Sequence, residues 1–68
     1  MTSDDIEKRR IGFSERNPGV HISTPREEPT GMYGATWCDD GGARRKTLHP
    51  KQEDLVIELE ALEQAGQF

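Results

Sequence analysis

The strongest pattern in the sequence is an amphipathic repeat near its C-terminal end. Leu55, Leu59 and Leu62 recur at the i, i+4, i+7 spacing of one helix face, and Val56 widens that face. The pattern predicts a helix over 51–63. A helix with one broad apolar face is stable only when other elements cover that face, so the rest of the chain must supply a cover.

The residues that flank this repeat predict where the helix begins and ends. Pro50 suits the first helical position, and His49 before it suits the N-cap. Glu53 and Asp54 fall in the first turn, where the helix dipole favours acids. Gly66 is a natural residue for the C-terminal stop.

A β-hairpin is predicted immediately before the helix. Tyr33, Ala35 and Trp37 alternate with small or polar residues, which is typical of a strand. The run Asp39–Gly42 is a turn signal, and residues 43–48 form the returning strand.

Two registers are open for this hairpin. A type I′ turn at Asp40–Gly41 places Trp37 opposite Arg44, where a cation–π contact favours it. A turn at Gly41–Gly42 instead places Asp39 opposite Arg44 and shifts every cross-strand pair. We favour the first register.

The N-terminal half has weaker patterns. Residues 20–24 alternate as a strand with Val20 and Ile22 facing inward. Asp4 suits the N-cap of a short helix over 3–11, and Gly12 is its predicted stop.

These elements together predict an α+β fold. A two- or three-stranded antiparallel sheet packs on one C-terminal helix, and an extended or short-helical arm precedes it. We expect residues 1–18 to form a flexible or partner-ordered arm, and residues 19–68 to form the strand–hairpin–helix module.

Length and composition limit what this chain can do. The 68 residues are 31% hydrophobic and 32% charged, which allows one small domain with a small core. A single cysteine, Cys38, excludes an intrachain disulfide and favours the cytoplasm, or a virion if a phage encodes the chain. No apolar run approaches the roughly 20 residues of a membrane span, so we expect no membrane partner.

The net charge of −4 belongs to the end of the chain. Residues 50–68 hold five acids and one base, whereas residues 1–49 hold eight of each. The acidic helix face is typical of a plain solvated surface. It also suits docking to a basic protein, whereas a DNA mimic needs more charge than five acids on one helix provide.

Basic residues cluster in the returning strand as Arg44-Arg45-Lys46, which suits contact with nucleic acid. The run Gly41–Thr47 and the helix after it are similar to the arm-binding domains of phage-type integrases. This resemblance implies a sheet that enters DNA with a supporting helix. Here, however, the helix is strongly acidic and no basic tail follows it. Charged residues on an edge strand also serve simply to prevent aggregation.

The sequence predicts no catalytic residue, cofactor or metal site. Cys38 with His21 or His49 is the only candidate nucleophile–base pair, and no nucleophile elbow or phosphate-binding glycine loop accompanies it. One cysteine, two scattered histidines and Asp39 do not have the paired spacing of a zinc site.

We therefore predict non-catalytic protein binding, with DNA binding as the alternative. The apolar stripe of the helix is broader than a small sheet can cover, which suggests that a larger protein or a second copy covers the rest. The predicted chain is a structural or accessory subunit, or a small regulator, of phage or bacterial type. The predicted partner-binding residues are aromatic, basic or on the arm: Tyr33, Trp37, Arg44, Arg45, Ile6 and Phe13.

Overall fold

A computed structural model describes residues 2–68. Along the chain, an N-terminal helix is followed by three strands and then by a C-terminal helix. The elements are α1 (Ser3–Arg16), β1 (His21–Ser23), β2 (Tyr33–Cys38), β3 (Arg44–His49) and α2 (Gln52–Gln64). The strands form one antiparallel sheet in the order β1-β2-β3. The predicted α+β class, with an antiparallel sheet on a C-terminal helix, is confirmed.

Helix α1 begins at Ser3, as the predicted range 3–11 does, but its N-cap is a different residue. Thr2 is its N-cap, and the Thr2 hydroxyl accepts the backbone N–H of Asp5 at 3.2 Å. Threonine satisfies one of the free N–H groups of the first turn in this way. The predicted N-cap at Asp4 is therefore wrong, since Asp4 lies within the first turn.

Helix α1 also continues past Gly12, where the sequence predicted a stop. A glycine inside a helix costs only about 1 kcal/mol relative to alanine. The extra turn brings Phe13 into the core, where it is 1% exposed, and burying such a ring contributes more than that cost. The helix ends at Arg16. The backbone N–H and the side-chain amide of its C-cap, Asn17, both donate to the Phe13 carbonyl, at 2.9 and 3.2 Å.

The two helices cover each other's apolar faces. Helix α1 buries Ile6 and Phe13, and α2 buries three residues of its apolar stripe: Leu55, Val56 and Leu59. Phe13, Leu55 and Leu59 share one cluster with Val20 and Ala35 of the sheet side. These residues are covered within the chain by α1 and the sheet, whereas Ile57 on the same helix is 47% exposed. That a partner covers the rest of the helix stays a prediction. The predicted boundary at residue 18 falls just after α1, and the dependence of 1–18 on a partner stays a prediction.

The hairpin turn is one residue longer than either predicted turn. The N–H of Gly42 donates to the Asp39 carbonyl, and the N–H of Asp39 donates to the Ala43 carbonyl, both at 2.9 Å. Gly42 has a φ of +81°, whereas Gly41 does not have a positive φ. This is a three-residue loop, a type I turn followed by one left-handed glycine.

The longer loop changes the register. Trp37 lies opposite Arg45, and Cys38 lies opposite Arg44. Both predicted registers are therefore wrong, and the predicted cation–π contact between Trp37 and Arg44 does not form. Since side chains alternate between faces, a shift of one residue moves Arg44 to the other face of the sheet.

The sheet consequently has two unlike faces. The covered face lies against the helices and contains Ile22, Tyr33, Ala35, Trp37, Arg45, Thr47 and His49. The open face lies on the opposite side and contains His21, Ser23, Gly34, Thr36, Cys38, Arg44, Lys46 and Leu48.

Helix α2 begins later than predicted and ends where predicted. Its N-cap is Lys51, so the predicted N-cap at His49 is wrong, and His49 is the last residue of β3. At the other end Gly66 has a φ of +76° and donates to the Glu63 carbonyl at 3.1 Å. The N–H of Gln67 donates to the Leu62 carbonyl at 3.0 Å, which completes a Schellman motif around the predicted glycine stop.

Candidate functional site

The carboxylate of Asp39 fixes the hairpin turn. Its Oδ1 accepts the N–H groups of Gly41 and Ala43, both at 2.9 Å, and its Oδ2 accepts Nε of Arg45 at 2.9 Å. The hydrogen bond from the Ala43 backbone, followed by the one from Arg45, lowers the pKa of Asp39. The same carboxylate therefore closes the loop and holds Arg45 on the covered face.

A second carboxylate joins the covered face to α2. Glu58 accepts the Thr47 hydroxyl, and its Oε1 lies 2.9 Å from Nε2 of His49. The hydrogen bond from Thr47, and then that from His49, lowers the pKa of Glu58. These contacts anchor the end of β3 on the helix that follows it.

Thr47, His49 and Glu58 are the residue types of a hydroxyl–imidazole–carboxylate triad, but their geometry differs. In a triad the hydroxyl and the carboxylate contact opposite ring nitrogens. Here Nε2 of His49 lies 3.4 Å from the Thr47 hydroxyl and also contacts Glu58. Glu58 therefore contacts the same ring nitrogen that would have to accept the proton of the Thr47 hydroxyl.

Two of the five acids of α2, Glu60 and Glu63, are paired with bases of α1. Nε of Arg9 donates to Glu60 at 3.1 Å, and a second guanidinium nitrogen also contacts that carboxylate. Arg16 contacts both oxygens of Glu63 at 3.0 Å, and these bonds, followed by one from Asn17, lower the pKa of Glu63. Arg9 and Arg16 therefore offset part of the negative charge of α2, and Glu53 and Asp54 of its first turn stay exposed.

The open face has a different electrostatic character. Lys46 pairs with Glu28 at 3.0 Å, and Glu28 is only 7% exposed because its loop lies over Gly34. Arg44 is exposed and forms no ion pair with any residue of the described range 2–68. His21 lies beside them, because Thr36 is paired with both His21 and Lys46 across the sheet.

The six predicted partner-binding residues do not form one surface. Ile6 and Phe13 lie in the core, at 5% and 1% exposure, so a partner reaches them only if α1 leaves its site. Tyr33 and Trp37 are half-buried on the covered face, where Trp37 meets Phe68 edge to face at 5.2 Å.

The two predicted arginines lie on opposite faces. Arg45 lies on the covered face with Asp39, and Arg44 lies on the open face. Sequence reasoning missed Leu48 and the contribution of Lys46 to this face. The signal was present in the alternation of Arg44, Lys46 and Leu48, which a correct register places on one side.

A shallow depression of about 160 Å³ lies on the open face, lined in part by His21, Cys38 and Arg44. Ligand sites generally measure about 300–1,000 Å³, so this depression is small for one. No hydrogen bond joins Cys38 to His21 within residues 2–68. Within the same range, no three His, Cys, Asp or Glu side chains gather as metal ligands would. Neither α1 nor α2 has the length and apolar character needed to cross a membrane.

No protein-family model, curated protein or solved structure matches this chain.

Proposed function

We propose that this chain is a non-catalytic protein-binding module, which docks as an accessory or structural subunit, or as a small regulator, on a larger protein assembly. The observation that supports this is the contrast in charge pairing between the two layers. Three of the five acids of α2, Glu58, Glu60 and Glu63, have ionic partners inside the chain. Arg44 is exposed on the open face and forms no ion pair within residues 2–68. Arginine is one of the residue types that dominate the binding energy of protein interfaces.

The rest of the proposal follows from this role. The module needs no cofactor, and it acts in the cytoplasm, or in a virion if a phage encodes it. Its free thiol at Cys38 is exposed, which suits a reducing compartment. The partner is a larger protein or a second copy of the chain.

Affinity purification from the native host tests this proposal when charge-reversed variants are compared. We expect the wild-type chain to retain one partner in stoichiometric amount and the Arg44→Glu variant to lose it. Lys8→Glu is the matched control, since it makes the same charge change on an exposed residue of α1. Loss of the partner in both variants, or in neither, contradicts a role for the open face.

DNA binding is the second candidate, and one observation favours it. Arg44, Lys46 and His21 lie on the same face, where a β-ribbon could present them to phosphates. Affinity for duplex DNA falls with a log–log salt slope of about 0.9 per phosphate contact, so two or three cations predict a slope of about −2 to −3. Such binding, abolished by Arg44→Glu and accompanied by no protein partner, would replace the protein-binding proposal.

A further inference from the structure

Strand β3 is an edge of the sheet. Within residues 2–68, the strand order β1-β2-β3 leaves one side of β3 without a neighbouring strand. At six residues β3 is also twice as long as β1, the strand at the other edge. A free edge of this length presents enough backbone groups to pair with an added strand.

The register shows which backbone groups face outward. Asp39 and Ala43 form a hydrogen-bonded pair, because the Asp39 N–H donates to the Ala43 carbonyl. Hydrogen-bonded and non-hydrogen-bonded pairs alternate in an antiparallel ladder, so Arg44, Lys46 and Leu48 occupy the non-hydrogen-bonded positions. Their N–H and C=O groups therefore point away from β2, and none of them makes another backbone hydrogen bond within residues 2–68.

The same three residues place their side chains on the open face. Residues of an added strand that pair with Arg44, Lys46 and Leu48 put their own side chains on that face, about 5 Å away between Cβ atoms. A carboxylate therefore fits the position opposite Arg44, and a second carboxylate shares the three N–H donors of Lys46 with Glu28. An apolar side chain fits the position opposite Leu48. Glu28 near Gly34 disfavours a third acid there.

We propose that the free edge of β3 accepts an extended acidic segment of a partner protein as a fourth strand, with acids at alternate positions. This inference deepens the proposed protein-binding function and rests on it. An antiparallel partner strand reads, from its N-terminus, as an apolar residue, any residue, an acid, any residue and an acid.

A second copy of the chain fits this edge less well. Strand β3 contains no acid, so self-pairing of two β3 edges leaves Arg44 and Lys46 without a carboxylate opposite them, and the register centred on Lys46 places two lysines opposite each other. Like charges directly opposite each other destabilise a strand pair. Nucleic acid also fits less well, because it leaves the free backbone groups of the edge without partners.

Synthetic peptides and the full chain test this proposal. The probe is an acetylated, amidated peptide of sequence TVTETET, and its control is TVTEETT, which has the same composition. Adjacent acids point to opposite faces of a strand, so the control places only one acid on the open face. Since a charged cross-strand pair is worth up to about 1 kcal/mol, we expect the control to bind about fivefold more weakly.

Backbone pairing is tested with N-methylated peptides. Methyl groups on the amides of the valine and the two glutamates block the hydrogen bonds to β3 and should abolish binding. Methyl groups on the amides of the intervening threonines face away from β3 and should leave the binding of the peptide unchanged. Hydrogen exchange at the amides of Arg44, Lys46 and Leu48 should slow about tenfold or more when the edge is mostly occupied.

Two variants test the charges. Arg44→Gln should weaken TVTETET about fivefold, whereas Arg45→Gln makes the same charge change on the covered face and should leave binding within about twofold. Binding insensitive to N-methylation, or equal for TVTETET and TVTEETT, overturns the proposal in favour of general charge attraction. The proposal is also overturned if hydrogen exchange at the amides of Arg44, Lys46 and Leu48 slows only through concentration-dependent self-association, or only on addition of duplex DNA. A native partner lost on Arg44→Glu, together with no peptide binding, overturns this docking mode and leaves the proposed function standing.

Discussion

The adjacent arginines Arg44 and Arg45 lie on opposite faces of the sheet and differ in their ionic contacts. Arg45 on the covered face is held by Asp39, and His49 on the same face is held by Glu58. Arg44 on the open face has no ionic partner in the described range. Adjacent arginines therefore have different physical roles, and the face on which each lies decides which role it has.

The covered face depends first on the aromatic ring that α1 contributes. Phe13→Ala removes a fully buried ring, so we expect the free energy of unfolding to fall by about 3–5 kcal/mol in urea denaturation. Ile11→Ala is the control on the same helix, because Ile11 is 44% exposed, and its effect should stay within about 0.5 kcal/mol. Equal, small effects of both substitutions would instead support a detachable arm over residues 1–18.

The division into two faces depends next on Gly42. Gly42→Ala forces a side chain into the left-handed region, which costs about 1–2 kcal/mol, and unfolding in urea measures it. Gly41→Ala is the matched control, since Gly41 lacks a positive φ and an added Cβ meets only ordinary contacts. A larger cost at Gly41 than at Gly42 would restore the two-residue turn and the Trp37–Arg44 register.

These two tests correspond to the places where local sequence signals and the fold diverge. The leucine spacing of α2 and its glycine stop predicted that helix well, because both signals are local. Gly12 misled the prediction for α1, since a local cost of about 1 kcal/mol was outweighed by the burial of Phe13, a contact distant in sequence.

The register of the hairpin could not be fixed from sequence for a similar reason. Gly41 and Gly42 both tolerate a positive φ, so loops that differ by one residue are locally close in energy. The three-residue loop is stabilised by the Asp39 carboxylate, which accepts hydrogen bonds from two backbone N–H groups and from Arg45. Arg44 was predicted as a binding residue from its type, but its neighbours on the open face follow only from the correct register.

The acid groups that join the elements should make stability depend on pH. The pKa values of Glu58, Glu63 and Asp39 are all lowered in the folded chain. The unfolded state therefore binds more protons as pH falls below the ordinary glutamate value of 4.5. The stability that these groups contribute is full above that pH and is lost as pH falls through their lower folded values.

Urea unfolding at several pH values between about 6 and 3 measures this dependence. Glu63→Gln should reduce the loss of stability on acidification, because it removes one group with a lowered pKa. Glu15→Gln removes the same charge from an exposed residue without an ion pair in the described range, and should leave the slope nearly unchanged. A slope that is the same in both variants would mean that the Arg16–Glu63 contact does not persist in solution.

The smallest effect is expected on the open face. Arg44→Gln should change the free energy of unfolding by no more than about 0.5 kcal/mol, since this side chain is exposed and has no ionic partner within residues 2–68. The same variant should lose affinity for the acidic peptide. Unchanged stability with weakened binding separates a residue that serves a partner from one that serves the fold. A loss of stability above about 1 kcal/mol would instead assign Arg44 a structural role, and the difference between the two faces would then lie in geometry alone.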